Sequence, residues 1–394
     1  MIRSLILLFL LLVSQTRALS ELHAQTYLVI RPQGHKVQTR EMCISKDGKT
    51  IFTGDFDKTI IAWDAANGMP IREYLGQIGP GNEGMVYALA LSPDNLVLAA
   101  GGWFGKDDES ENLGDIRIYD VASGKIKKVI HGHANVINDL AFTADSKNVI
   151  AVDADGRIVQ WNCSTGALVR EYNYAKEVDV KDVFVNGSNF VTGDDKGNLV
   201  LWSTENSKPI KKDAFYKGFQ IRDVVISPDG KWIACSGERF ISVYNEKLKR
   251  IADIDNEVVA SFLRFSPDSK KILAGCSTTG KEHHCNVFAL ENNAWVEYGS
   301  YDGHTSSVIC GGFINDQTMV TSGGESNEIV VWTIKAKSEK AKVMRTMRGV
   351  GQSFFAAALA DKQIAYTTTW TENFGLSHYT RQFDLVGRKD AKID

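Results

Sequence analysis

An aromatic residue closes a short apolar run eight times along this chain, at Trp63, Tyr119, Trp161, Trp202, Tyr244, Phe288, Trp332 and Phe383. Through most of the chain the interval is roughly forty residues, and a fixed period of that length means a series of equivalent units rather than one continuous core. The residues after these aromatics are mostly short and polar: Asp64, Asp120, Asn162, Ser203, Asn245, Ala289, Thr333 and Asp384.

The segment His131 to Asn162 shows what one unit contains. Two apolar-alternating runs, Val136 to Phe142 and Asn148 to Val152, are joined by the polar turn Thr143-Ala144-Asp145-Ser146, and a third run, Arg157 to Trp161, follows the turn Asp153-Ala154-Asp155-Gly156. Period-two alternation broken by Asp and Gly is the pattern of half-buried strands in hairpins. The turn recurs as Ser45-Lys46-Asp47-Gly48, Ser92-Pro93-Asp94-Asn95, Ser227-Pro228-Asp229-Gly230 and Ser266-Pro267-Asp268-Ser269, and Gly-His pairs open three units at Gly34-His35, Gly132-His133 and Gly303-His304. A sheet this small cannot bury both faces alone, so the units must stack, and closing the stack into a ring removes its free ends.

With the Gly-His pair, the Ser-Pro-Asp-Gly turn and the aromatic-Asp pair in phase, the chain resembles the WD-repeat family of β-propellers from about Tyr27 to Leu385. The resemblance implies an all-β fold, a single propeller of four-stranded antiparallel blades, with eight blades expected and seven as the alternative. It also implies that Tyr27 to Ile30 supplies the missing fourth strand of the last blade and so joins the chain ends. Within a blade the family links the histidine, a Ser/Thr on the second strand, the Asp of the next turn and the Trp. Carried over, this gives His133, Asp155 and Trp161, with Asp153 at the Ser/Thr position, and His35, Asp57 and Trp63, with Asp55 there. Lys196 and Glu238 stand where that Asp belongs in other units, which are expected to rely on packing and to be softer.

Composition narrows the function classes. A net charge of −3 argues against a broad nucleic-acid surface. Met1 to Val13 reads as the n- and h-regions of a secretory signal, too short to span a membrane, with cleavage expected before Gln25. The expected organisation is a signal peptide over 1–24 and a propeller over 25–394, secreted or periplasmic, with no integral membrane segment in the mature chain. Six cysteines are few for a disulfide scaffold. Cys276 and Cys285 flank one turn region, where a bridge and two buried thiols are the alternatives.

Binding residues concentrate on extended loops over a rigid scaffold. Three loops between second and third strands are long or rich in large side chains. One carries Trp103, Phe104, Asp107, Asp108, Glu109 and Glu111; the second carries His283 and His284; the third carries Trp370 and Phe374. These are the candidate partner contacts, with the alternative that Trp103 and Phe104 fold back over their own loop. No metal or other cofactor is expected: the acidic cluster lacks regular calcium-ligand spacing, and adjacent strand residues such as His283 and His284 point to opposite faces. The chain has no GxSxG elbow, HExxH or phosphate-cradling glycine loop. Asp55, Asp153, Asp194 and Asp195 fall at the structural turn of the repeat rather than in a catalytic pattern.

The expected function is that of a non-catalytic scaffold for a protein or peptide. One alternative is an accessory propeller of a caspase-like peptidase system, because similar bacterial exported propellers with an IRIYD-type strand (here Ile116 to Asp120) are fused to such peptidases. A weaker one is a propeller hydrolase or lactonase.

Overall fold

The computed structural model describes residues 39–348 apart from the loop segments 57, 77, 80, 106–112, 175–177, 216–217, 257–258, 277–283 and 324–327, together with the backbone of strands between 352 and 392. The signal-like segment, Gly34-His35 and Asp57 lie outside the described residues. Strands pair in chain order in groups of four, antiparallel throughout. All eight marker aromatics sit on the third strand of their sheet, as the repeat pattern requires.

Seven of the sheets form the ring, as blades one to seven over 39–73, 85–133, 137–172, 180–214, 223–255, 260–301 and 308–348. Their first strands are Thr39–Ile44, Met85–Leu91, Ile137–Phe142, Val180–Asn186, Asp223–Ile226, Ala260–Phe265 and Val308–Asn315. They pack side by side around the centre, and the last returns against the first. The core is divided accordingly. Ile116 and Ile118 of blade two meet Ile137, Leu140 and Trp161 of blade three, and Met42, Ile51 and Trp63 of blade one meet Cys310, Val320 and Val331 of blade seven. Among the described residues there are seven such clusters, one for each junction. An open row of seven blades would have one fewer. Burying an aliphatic side chain contributes about 1.5–3 kcal/mol, so each junction is a cooperative patch and the closing one holds the ring shut.

The expectation of eight blades closed by the N-terminal strand is therefore corrected. The eighth sheet, Gln352–Leu359, Gln363–Glu372, Gly375–Asp384 and Asp390–Lys392, is not a blade of the ring, and its fourth strand is its own. Blade seven likewise ends on its own outer strand, Lys342–Arg348. Tyr27 to Ile30 lies outside the described residues. The physical reason is that a repeat period counts sheets, whereas the number of blades depends on which inner strand the last one packs against.

Hydrogen bonding within the blades corrects a second expectation. The indoles of Trp63, Trp202 and Trp332 donate to the hydroxyls of Thr53, Thr192 and Thr321 at 2.7, 3.0 and 3.0 Å. The Ser/Thr position is thus Thr53 in blade one and Ala151 in blade three, two residues before Asp55 and Asp153, on the same strand face. Blade three compensates without a hydroxyl. Trp161 donates to His133 Nε2 at 3.1 Å, and the ring's Nδ1–H donates to Asp153 Oδ2 at 2.7 Å. Asp155 instead accepts from the Asn135 side chain. Blade seven keeps the Trp, Thr and His of the family arrangement, with His304 Nε2 2.8 Å from Thr321 Oγ1.

Blade four keeps a hydrogen-bonded set although Lys196 stands where the family Asp belongs. Asp194 accepts from the Tyr174 hydroxyl and from Asn198 Nδ2 at 2.7 Å, so a tyrosine takes the histidine's place. Blade six, with Ala274 and Phe288 at the two positions, has only packing there.

The turns between first and second strands repeat one device. Ser92 Oγ donates to Asp94 Oδ1 at 2.6 Å and accepts from the Val97 N–H at 2.9 Å, while Asp94 Oδ1 accepts from the Leu96 N–H. Ser45, Thr143, Ser227 and Ser266 donate in the same way to Asp47, Asp145, Asp229 and Asp268. The last turn residue is left-handed: Gly48 and Gly230 adopt it freely, whereas Asn95, Ser146 and Ser269 have φ of 61°, 61° and 62°. Those three side chains reach the preceding blade and accept from the N–H of Lys46, Asp94 and Asp229 at 3.1, 3.2 and 3.1 Å.

Candidate functional site

Antiparallel pairing sets Thr39 opposite Asp55 and Met85 opposite Trp103. First strands therefore begin where second strands end, and the loops that follow second and fourth strands share one face around the channel. On it, at the junction of blades one and two, Phe56 tilts against Tyr87 with ring centroids 4.9 Å apart. Leu75 and Ile78, on the connection between these blades, are 59% and 60% exposed, and Phe56 is 38% exposed. The connection is pinned from below, because Lys58 Nζ donates to the carbonyls of Gly79 and Gly81 at 2.6 and 2.9 Å. Large apolar groups on a held backbone lose little entropy on binding, which is how interface anchors work.

Trp103 ends the second strand of blade two, half-buried beside this patch, and its buried Nε1–H has no hydrogen-bond partner among the described residues. Phe104 is not an exposed contact. It is 4% exposed, packed with Leu98 and Tyr119, and the Arg117 guanidinium lies 4.0 Å from its ring centroid. An aromatic face covered by a cation and a core is internal support for the loop, so the alternative of folding back holds for Phe104.

The remaining candidates do not gather into one site. Asp107, Asp108, Glu109, Glu111, His283 and Phe374 lie outside the described residues. His284 is half-buried before the third strand of blade six, and its carbonyl accepts from the Cys276 N–H at 3.0 Å. Trp370 pairs with Ser377 in the sheet that is not a blade of the ring. Cys276 and Cys285 are both free and buried, the burial pushing the Cys276 thiol up to about 11.

The turn acids near the channel mouth are occupied. Asp55 Oδ1 accepts from the Thr59 N–H and hydroxyl, both at 3.0 Å. Asp153 Oδ1 accepts from the N–H groups of Asp155 and Arg157. These carboxylates close turns, as their register implied. No helix among the described residues is long and apolar enough to cross a membrane, and no group of three or more His, Cys, Asp or Glu there has metal-binding geometry.

The channel wall carries a feature that motif reading passed over. At one level of the first strands stand Glu41, Ala88, Asp139, Asp182, Asp223, Phe262 and Cys310, opposite Gly54, Gly101, Val152, Gly193, Ser236, Gly275 and Ser322. Arg264 of blade six reaches from Asp223, at 3.2 Å, to Glu41 of blade one, at 3.4 Å.

Four segments of the chain, 27–64, 124–162, 211–245 and 295–333, match the WD40 family (WD domain, G-beta repeat). They end on the aromatic and following residue of blades one, three, five and seven. Protein HIR1 of Eremothecium gossypii is 28% identical over 174 residues, 39% of this chain and 21% of its own length. Eukaryotic translation initiation factor 3 subunit I of Aspergillus fumigatus is 26% identical over 119 residues, 30% of this chain and 31% of its own. Cilia- and flagella-associated protein 52 of Sus scrofa is 23% identical over 120 residues, 30% and 17% of the two chains. The chain thus spans less than a third of the length of each of these relatives. They are eukaryotic proteins, and they lend no support to a bacterial or peptidase-fused setting.

Proposed function

We propose that this chain is an exported, non-catalytic scaffold that captures a protein or peptide on the loop face of its propeller, with the junction of blades one and two as the contact. The observation that carries the reading is the Phe56–Tyr87 pair at this junction, with the exposed apolar side chains of Leu75 and Ile78 on the adjoining connection that Lys58 holds. WD40 propellers generally bind protein partners, and the four segments similar to that family support the reading. Export rests on the basic start and apolar run of Met1 to Val13.

Two measurements test it. Phe56→Ser combined with Ile78→Ser should cut partner capture at least ~10-fold and leave the thermal melt unchanged, since neither side chain is in the core. Undiminished capture with an unchanged melt removes this face from consideration. The mature protein recovered from outside the cytoplasm should begin at Gln25; an intact Met1 refutes export while leaving the binding face to stand or fall separately.

A further inference from the structure

Three consecutive blades place an aspartate at the same level of the channel wall: Asp139 in blade three, Asp182 in blade four and Asp223 in blade five. Each reaches forward to the next blade. Asp139 Oδ2 accepts from the Val183 N–H at 2.9 Å, Asp182 Oδ2 from the Val224 N–H, and Asp223 Oδ2 from the Leu263 N–H. In each case the donor is the backbone of the residue just after the next blade's own member of this level.

Because each carboxyl lies against the backbone beside the next blade's aspartate, the three stand next to one another, Asp139 by Asp182 and Asp182 by Asp223, within reach of side-chain hydrogen bonding. Two ionised carboxylates are acceptors only, so each contact requires a proton on one partner. We propose that Asp139, Asp182 and Asp223 form a proton-held seam across blades three, four and five, so that the ring tightens in acid and loosens as the pH rises.

The surroundings favour retained protons. Blade two brings to this level Ala88, on a strand whose sole ionisable side chain is Tyr87, and blade seven brings Cys310. The strands paired behind the three aspartates oppose them with Val152, Gly193 and Ser236. Arg264 of blade six faces Asp223, and Arg264 with Arg40 faces Glu41. Among the described residues Asp139 and Asp182 have no cation in direct contact; Arg264 acts on both from longer range, against burial, Glu41 near Asp139 and the neighbouring carboxylates. Burial pushes Asp139 up to about 6, and burial together with the neighbouring carboxylates holds Asp182 and Asp223 well above the usual carboxylate range.

These are raised acids, so the sign follows directly. The seam is intact below the ordinary aspartate range and is lost as the pH climbs through the raised values. The melting temperature of the full chain is therefore expected to fall by about 4 °C between about pH 4.5 and pH 7.5. Asp182→Asn keeps an N–H donor for Asp139 and a carbonyl for Val224 while removing a titrating group, and should flatten that slope by at least half. Asp268→Asn, in an outer turn, should leave it unchanged. An equal slope in wild type and Asp182→Asn, or a wild-type melt that is flat or rising over this range, overturns the proposal. Should the Asn variant fail to fold, infrared spectra of the wild-type chain with carboxyl-labelled aspartate decide the matter. A protonated-carboxyl band at neutral pH supports the seam, and its absence sinks it.

Discussion

The ring is clasped at two levels, and the same short polar side chains behave in opposite ways at each. At the turn rim, Asn95, Ser146 and Ser269 reach back to the preceding blade while the turn aspartates stay at the surface. Hydroxyl hydrogen bonds hold Asp47, Asp94 and Asp145 below the usual carboxylate range, with Ser45, Ser92 and Thr143 as the first cause. At the channel wall the links run forward to the next blade, through carboxyl groups that burial pushes up. Linkage then gives the two levels opposite pH limbs. The turn acids stabilise above the ordinary aspartate range and lose that contribution as the pH falls through their lowered values. The channel acids lose theirs as it rises. Placement sets the sign: one residue type makes the ring sensitive to acid at one rim and to base at the other.

The largest expected effect comes from removing the cation that bridges two of the channel acids. Arg264→Met leaves Asp223 and Glu41 without the guanidinium now 3.2 and 3.4 Å away, and breaking such a pair costs about 3 kcal/mol. Urea unfolding at neutral pH should show that loss, and it should shrink at about pH 4.5, where the orphaned carboxyls take up protons. A loss equal at both values would mean that Arg264 works by packing over Phe262, whose ring centroid lies 5.9 Å away, and the electrostatic half of the contrast would fall. Next in size is the turn rim. Asn95→Ala removes an interblade hydrogen bond worth about 1 kcal/mol and puts alanine at a left-handed φ of 61°, where asparagine is better tolerated. Together these should cost about 1–2 kcal/mol, with no change in pH dependence above about pH 5, because no titrating group is touched.

Much of this was legible in the sequence. Strand phase, turn chemistry and the third-strand aromatics followed from period-two alternation and Ser-x-Asp spacing. The channel acids were legible too, though unread: Glu41, Asp139, Asp182 and Asp223 each stand four residues before the turn residues Ser45, Thr143, Asn186 and Ser227. Motif reading missed them because it looks for clusters close in sequence, and these meet only through the ring. Blade number was not legible, since the sheet of Phe383 has the same local pattern as a blade and differs only in what it packs against. Nor was the fate of Phe104, which depends on Arg117 arriving from the neighbouring strand to cover its ring. The Phe56 and Tyr87 pair joins a turn of one blade to the inner strand of the next, a contact that no spacing rule announces.

The smallest expected effect is also the sharpest test of how different the two levels are. Ser269 has a left-handed φ of 62°, and its hydroxyl accepts from the Asp229 N–H at 3.1 Å. Ser269→Gly deletes that bond, a loss of about 1 kcal/mol, and adds freedom to the unfolded chain, a loss of up to about 1 kcal/mol. It also relieves the cost of holding a side chain in the left-handed region, a gain of about 1–2 kcal/mol. Gly48 and Gly230 already occupy the equivalent place in blades one and five, so the backbone accepts the change. The opposing effects nearly cancel, and the variant should unfold within about 0.5 kcal/mol of wild type with the same pH profile. A loss above about 2 kcal/mol would bring this neutral clasp close to a buried ionic contact, and the two levels would then no longer differ in strength.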